Sequence, residues 1–184
     1  LVIASYFFVI MGFSVMTANY TLFTEHEFGF KPSQNAYLFA YIGLVLSLMQ
    51  GVVVRRVLKG HNERPWALFG GLVLVAGLVT LPYSSGLPSL LLASGLISAG
   101  YSFISPALMG LASKLADARS QGRAIGVLQG GASLGRFVGP VLGGWLLSLD
   151  AHSHFGRLSF LSAAAILGIA ICLIWQLPGP SEKL

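Results

Sequence analysis

Among the 184 residues there is a single cysteine, Cys172, so no disulfide can close within the chain and no thiolate cluster can hold a metal. Charge is also in short supply. Asp, Glu, Lys and Arg make up 9% of the sequence, against about 25% in ordinary soluble domains. That shortage excludes a conventional water-facing surface, and no amphipathic periodicity gives the helices one polar side. Acids are rarest: Glu25, Glu27, Glu63, Asp117, Asp150 and Glu182 all fall in connecting segments or a tail. The histidines His26, His61, His152 and His154 fall in loops as well. His152 and His154 lack the further ligands that a metal needs and read as a solvated loop. With no histidine or acid inside an apolar run to activate a serine, the pattern argues against an intramembrane protease or acyltransferase.

What the chain has in plenty is apolar surface, 55% of its residues. Runs long enough to cross roughly 30 Å of hydrocarbon occur at about 1–24, 35–55, 66–83, 87–112, 123–149 and 156–177. They leave no room for a soluble domain. The expected fold is therefore all-α, six transmembrane helices forming one unit over 1–184. Leu1 already lies within an apolar run, and no charged n-region or cleavage site precedes it. It does not read as a signal peptide, and the chain is expected to continue a longer protein.

The net charge of +5 is sorted by membrane side and does not point to nucleic acid. Arg55, Arg56, Lys59 and Arg64 follow the second run, Lys114, Arg119 and Arg123 follow the fourth, and Lys183 is in the tail. Lys31 and Arg157 fall on the opposite side. The positive-inside rule places the richer side, and both ends of the chain, in the cytoplasm. The halves 1–84 and 85–184 would then be inverted repeats. Sequence support for that is thin: a glycine-led run and a glutamine, Gln50 and Gln129, in the second and fifth spans.

The fifth span carries the most information. In GRAIGVLQGGASLGRFVGPVLGGW, residues 122–145, the glycines at 131, 135, 139 and 143 recur every fourth position. In a soluble helix each would cost about 1 kcal/mol against alanine. In a membrane the spacing makes a bare ridge for close helix packing. Arg136 sits near the midplane and is expected to face protein or a water-filled cavity. Its partner is a backbone carbonyl, a substrate, or an acid beyond this chain. In the fourth span Ser94, Ser98, Tyr101 or Ser102, and Ser105 share a face, with Pro106 able to bend the helix. In the first span Tyr6, Phe13, Thr17 and Tyr20 share another, with Met16 and Asn19 alongside. Either face could line a cavity. Equally, each could serve helix packing or interfacial anchoring.

Gly126, eight residues, Gly135, three residues, Gly139-Pro140, two residues, Gly143-Gly144: this spacing resembles the antiporter motif of the major facilitator superfamily of secondary transporters. GVVVRRVLKGHNERPWALFGG, from Gly51 to Gly71, is similar to a degenerate copy of that family's GxLaDrxGrrxxl loop, with Arg55 in the aspartate position. The degeneration resembles the carboxy-terminal half, helices seven to twelve. FGFKPSQNAYLFAYIG and SPALMGLASKLADARSQGRAIGVLQ are similar to tetracycline-resistance-type drug–proton antiporters.

The resemblance implies a secondary active transporter, not an enzyme, exporting small amphipathic compounds or drugs by alternating access. It implies no cofactor, a proton gradient as energy source, and residence in a bacterial inner (plasma) membrane. Its partners would be the small-molecule substrate, the lipid bilayer and an amino-terminal six-helix half, with no nucleic acid. Asn19, Tyr20, Thr17, Ser98, Tyr101, Ser102 and Arg136 would line the substrate cavity. Gly126, Gly135, Gly139, Pro140, Gly143 and Gly144 would serve gating and helix packing, with Gly135, Gly139, Pro140 and Gly143 set against a helix of the other half. Arg55, Arg56 and Arg64 would form the cytoplasmic loop near the inner gate. The alternatives are a membrane sensor or scaffold with the same fold, or a uniporter or symporter of a small metabolite.

Overall fold

The computed structural model describes residues 1–58, 62–117, 120–150 and 155–177, apart from the Arg55 side chain. The expected His152–His154 loop, with Lys59, Arg119 and Lys183, lies outside the described residues. Among the described residues six helices are long and apolar enough to span a membrane: α1 Val2–Phe28, α2 Pro32–Leu48, α3 Glu63–Thr80, α4 Leu87–Leu115, α5 Gln121–Leu149 and α6 Arg157–Trp175. Local chemistry sets their ends. Gly29 adopts φ 64°, a left-handed cap whose N–H returns to the Glu25 carbonyl and stops α1. Pro32 opens α2 where a missing N–H costs nothing. Asn62 caps α3 by accepting from the Arg64 amide, and Asp150 accepts from the Leu158 amide at the start of α6.

The second span departs from the sequence expectation. Its backbone loosens into a π-helix over Met49–Val54 and then makes one further α turn, Arg55–Val57. Gly51 has nothing to fill the widened turn, and three successive valines, stiff at χ1, follow it. Arg56 therefore lies in a short helical turn and Arg64 in the first turn of α3, so these two residues, expected in a loop, are helical.

α1 is the central helix, buried along its length by Tyr6, Val9, Ile10, Val15, Met16 and Phe23, and it packs on α5, α6 and α4. α3 packs on α4 and α6, whereas α2 leans chiefly on α4. Only 17% of α2's most apolar stretch is buried, against 61% in α1, so α2 is the peripheral helix of this unit.

The helix neighbours reveal the inverted repeat that the sequence barely hints at. Exchanging α1 with α4, α2 with α5 and α3 with α6 carries the α1–α5 contact onto α4–α2 and α1–α6 onto α4–α3. The α3–α6 contact maps onto itself. Side chains follow the same exchange. Arg64, opening α3, lies over the Trp175 ring at the end of α6, 5.9 Å from its centroid. Arg157, opening α6, lies over the Tyr83 ring just after α3, at 4.8 Å. These are cation–π contacts at opposite ends of one helix pair. Likewise Gly12 of α1 meets Ala163 of α6, and Gly100 of α4 meets Gly70 of α3.

At the arginine-rich end, Glu63 of α3 is buried and pairs with Lys114 of α4. Gly110 leaves the room for it; a Cβ there would sit 3.2 Å from Glu63 Cγ. Removing one partner of a buried pair costs far more than the pair contributes. Here the Lys114 side chain is 60% exposed, so water screens part of the effect. In the full-length protein Lys114→Ala is expected to lower stability by about 1–2 kcal/mol, and adding Glu63→Gln should recover part of it. Thermal unfolding in detergent checks this; an unchanged midpoint for Lys114→Ala would show that the pair contributes nothing.

Candidate functional site

The glycine ridge of α5 finds its partner inside this unit. A Cβ at Gly135 would lie 3.0 Å from the Phe7 carbonyl oxygen, one at Gly139 2.8 Å from that of Met11, and one at Gly143 2.7 Å from Asn19 Nδ2. Bare positions thus let α1 and α5 touch backbone to backbone. The expectation that Gly135, Gly139 and Gly143 would pack on a helix of another half is corrected: they pack on α1. Gly131 is looser, its nearest neighbour Ile3 at 3.6 Å. Gly126 and Gly144 face open space, and Pro140 is exposed.

Several hydroxyls and amides expected to line a cavity are closed within these seams. Asn19 is buried; its Nδ2 donates to Ser159 Oγ at 2.8 Å, and Ser159 Oγ donates to the Gly143 carbonyl at 2.9 Å. This chain ties α1 through α6 to α5. Tyr20 is fully buried, its hydroxyl 2.6 Å from Ser94 Oγ. Ser98 and Ser102 each donate to the carbonyl four residues back, at 2.8 Å, and show no open surface. Asn19, Tyr20, Ser98 and Ser102 therefore bond between or along helices, because the same small polar residues suit a seam and a cavity wall alike. The sequence reading passed over Ser159. It also missed Asn35, buried at the start of α2 with Oδ1 2.6 Å from Thr24 Oγ1.

Thr17, Tyr101 and Arg136 remain on open surface: Thr17 and Tyr101 are half-buried and Arg136 is exposed. Thr17 Oγ1 donates to the Ser14 carbonyl at 3.2 Å. The Tyr101 ring stacks on Phe13 of α1 with centroids 4.0 Å apart and planes 22° from parallel. Beneath it, the buried Tyr6 hydroxyl lies 3.4 Å from Ser105 Oγ. Arg136 is exposed near the middle of α5. α1 and α4 thus bring together a stacked aromatic pair and a buried pair of hydroxyls, while the mid-span cation stands exposed on α5. Of the basic-end residues, Arg64 is tied to α6, its Nη2 donating to the Trp175 carbonyl. The Arg55 side chain lies outside the described residues. A separate apolar cavity of about 380 Å³ opens at the arginine-rich end among Val2, Ala112, Leu115 and Leu177, away from this cluster.

The sequence profile of the Major Facilitator Superfamily matches residues 2–184. Major facilitator superfamily domain-containing protein 10 of Mus musculus is 26% identical over 177 residues, 96% of this chain and 38% of the relative. Multidrug resistance protein 2 of Bacillus subtilis (strain 168) is 27% identical over 173 residues, 92% of this chain and 42% of the relative. The chain thus spans about two fifths of the length of these curated relatives. The crystal structure of the human organic anion transporter MFSD10 (TETRAN) superposes with a TM-score of 0.86 at 22% identity, over 94% of this chain and 39% of that one. One profile covering the six helices, and a fold shared at that score with about two fifths of a larger transporter, agree with the inverted contact pattern: the chain belongs to the Major Facilitator Superfamily.

Proposed function

We propose that the full-length protein exports small amphipathic compounds in exchange for protons, and that this chain supplies its carboxy-terminal six helices. The observation that carries the reading is the uncovered polar and aromatic surface on α1, α4 and α5, where the Phe13–Tyr101 stack, Thr17 and Arg136 stay open on helices that another six-helix half would enclose. Multidrug resistance protein 2, a relative at 27% identity, supports the substrate class. The interlocked α1–α5 and α3–α4 seams suit a unit that rocks as one body about a midplane site. Gly126 and Gly144, bare and open, are assigned to contact with the other half, and Pro140 to the bending of α5 beside the site. The arginine-rich end faces the cytoplasm of a bacterial plasma membrane. No carboxylate stands in the middle of a span, so the proton carrier is assigned to the rest of the protein.

Full-length protein in liposomes, loaded with a fluorescent amphipathic dye, should move it several times faster under an imposed pH gradient than without one. Equal flux in both conditions would reduce the protein to a uniporter. No flux at all, with the protein folded, would favour a sensor or scaffold.

A further inference from the structure

At the end of the unit away from the arginine-rich one, α3 runs into a short turn at Leu81–Tyr83, and α4 starts at Leu87. Between the two helices lies a groove of about 330 Å³. Its lining changes along the span. Val79, Leu92 and Leu96 make the part toward the interior, while Tyr83, Ser84 and Ser89 make the part at the helix ends. Leu92 is nine residues from Tyr101, about two and a half turns, which puts it on the opposite side of α4. The groove therefore opens away from the Phe13–Tyr101 surface, with Leu92 and Tyr83 both exposed.

One cation stands at its polar end. The Arg157 guanidinium, from the first turn of α6, lies over the Tyr83 ring at 4.8 Å from the centroid. A guanidinium resting on an aromatic face keeps its N–H edge for an oxyanion, which it can grip with two parallel hydrogen bonds. Among the described residues the ion pairs lie elsewhere, His26 with Glu27 and Lys114 with Glu63. The neighbouring Asp150 carboxylate accepts from the Leu158 amide instead. Arg157 Nε and Ser84 Oγ are buried without a hydrogen-bond partner among the described residues.

We infer that this groove seats an anionic membrane phospholipid, one acyl chain along Val79, Leu92 and Leu96 and the phosphate on Arg157. Apolar wall and charge follow one another along the span, as chain and head group do in a lipid lying along the bilayer normal. A soluble anion would use the charge and leave the groove unfilled. A zwitterionic lipid brings an ammonium that the guanidinium repels, so the site discriminates by head group.

Titration of detergent-purified full-length protein with phosphatidylglycerol and with phosphatidylcholine of matched chains, read by native mass spectrometry, checks this. Phosphatidylglycerol should bind on the order of tenfold tighter. Arg157→Gln should remove most of that preference and Arg157→Lys should keep part of it. Lys31→Gln, which removes the other Lys or Arg at this end, should leave it intact. A phosphatidylglycerol carrying a diazirine on its acyl chain should label the groove between residues 79 and 96. That labelling carries the test should Arg157→Gln fail to fold. A wild type without head-group preference, a preference that survives Arg157→Gln, or an equal loss in Lys31→Gln overturns the inference. So does labelling confined to other helices.

Discussion

Gly100→Val in the full-length protein is expected to abolish folding, and even Gly100→Ala should cost about 3 kcal/mol. The reason is what faces it. A Cβ at Gly100 would lie 2.6 Å from the Gly70 carbonyl oxygen and would also press on the Leu74 amide nitrogen. From the other side, a Cβ at Gly70 would lie 2.7 Å from the Gly100 carbonyl oxygen and 2.7 Å from the Ile104 amide nitrogen. The obstacles are backbone, so no rotamer change can relieve them and the helices themselves must separate. Fluorescence-detected size exclusion and thermal unfolding read the outcome. Gly168→Ala on α6 is the control, since a Cβ there meets nothing within 4 Å and alanine is the better helix former. A wild-type unfolding midpoint for Gly100→Ala would show that α3 and α4 do not approach this closely.

Gly139→Ala should be damaging in a different, correctable way. Its Cβ would lie 2.6 Å from Ser14 Cβ and 2.8 Å from the Met11 carbonyl oxygen. One of the two obstructions is a side chain. The single substitution is expected to cost about 2 kcal/mol, and Ser14→Gly should restore part of that, less the roughly 1 kcal/mol a new helical glycine costs. A double-mutant cycle on unfolding midpoints should return a favourable coupling of about 1 kcal/mol. Strict additivity would mean that Ser14 and Gly139 are not in contact. No comparable rescue exists for Gly100, where there is no side chain to trim.

These two seams also mark where the sequence was legible. Six spans stand out because hydrocarbon demands about 20 apolar residues per helix, a constraint that tertiary packing cannot override. The α5 ridge stands out because its glycines repeat at one helical turn. Gly70 and Gly77 are two turns apart on α3, and Gly100, which faces Gly70, is five residues from Gly95 and ten from Gly110 on α4; neither helix repeats glycine at one turn, so that seam went unread. Direction was harder still. Asn19, Ser98 and Ser102 sit at spacings that fit a cavity wall, yet each is buried, because a small polar side chain in a membrane helix is satisfied equally well by a neighbouring helix or its own backbone. The Phe13–Tyr101 stack joins two helices far apart in sequence, and only their packing assembles it.

The Asn19–Ser159 hydrogen bond spans 140 residues of chain, and the α1 face that carries it packs on α5 and α6 rather than on α2 or α3. At synthesis rates of roughly 5–20 residues per second, the Asn19 amide waits about 7 to 28 seconds for Ser159 to emerge from the ribosome. Through that interval the most deeply enclosed helix of the finished unit is the one with the least company. Its polar face must be sheltered by the insertion machinery or by earlier helices, so a chain arrested before α5 should expose Asn19 and the Gly12 surface to membrane quality control.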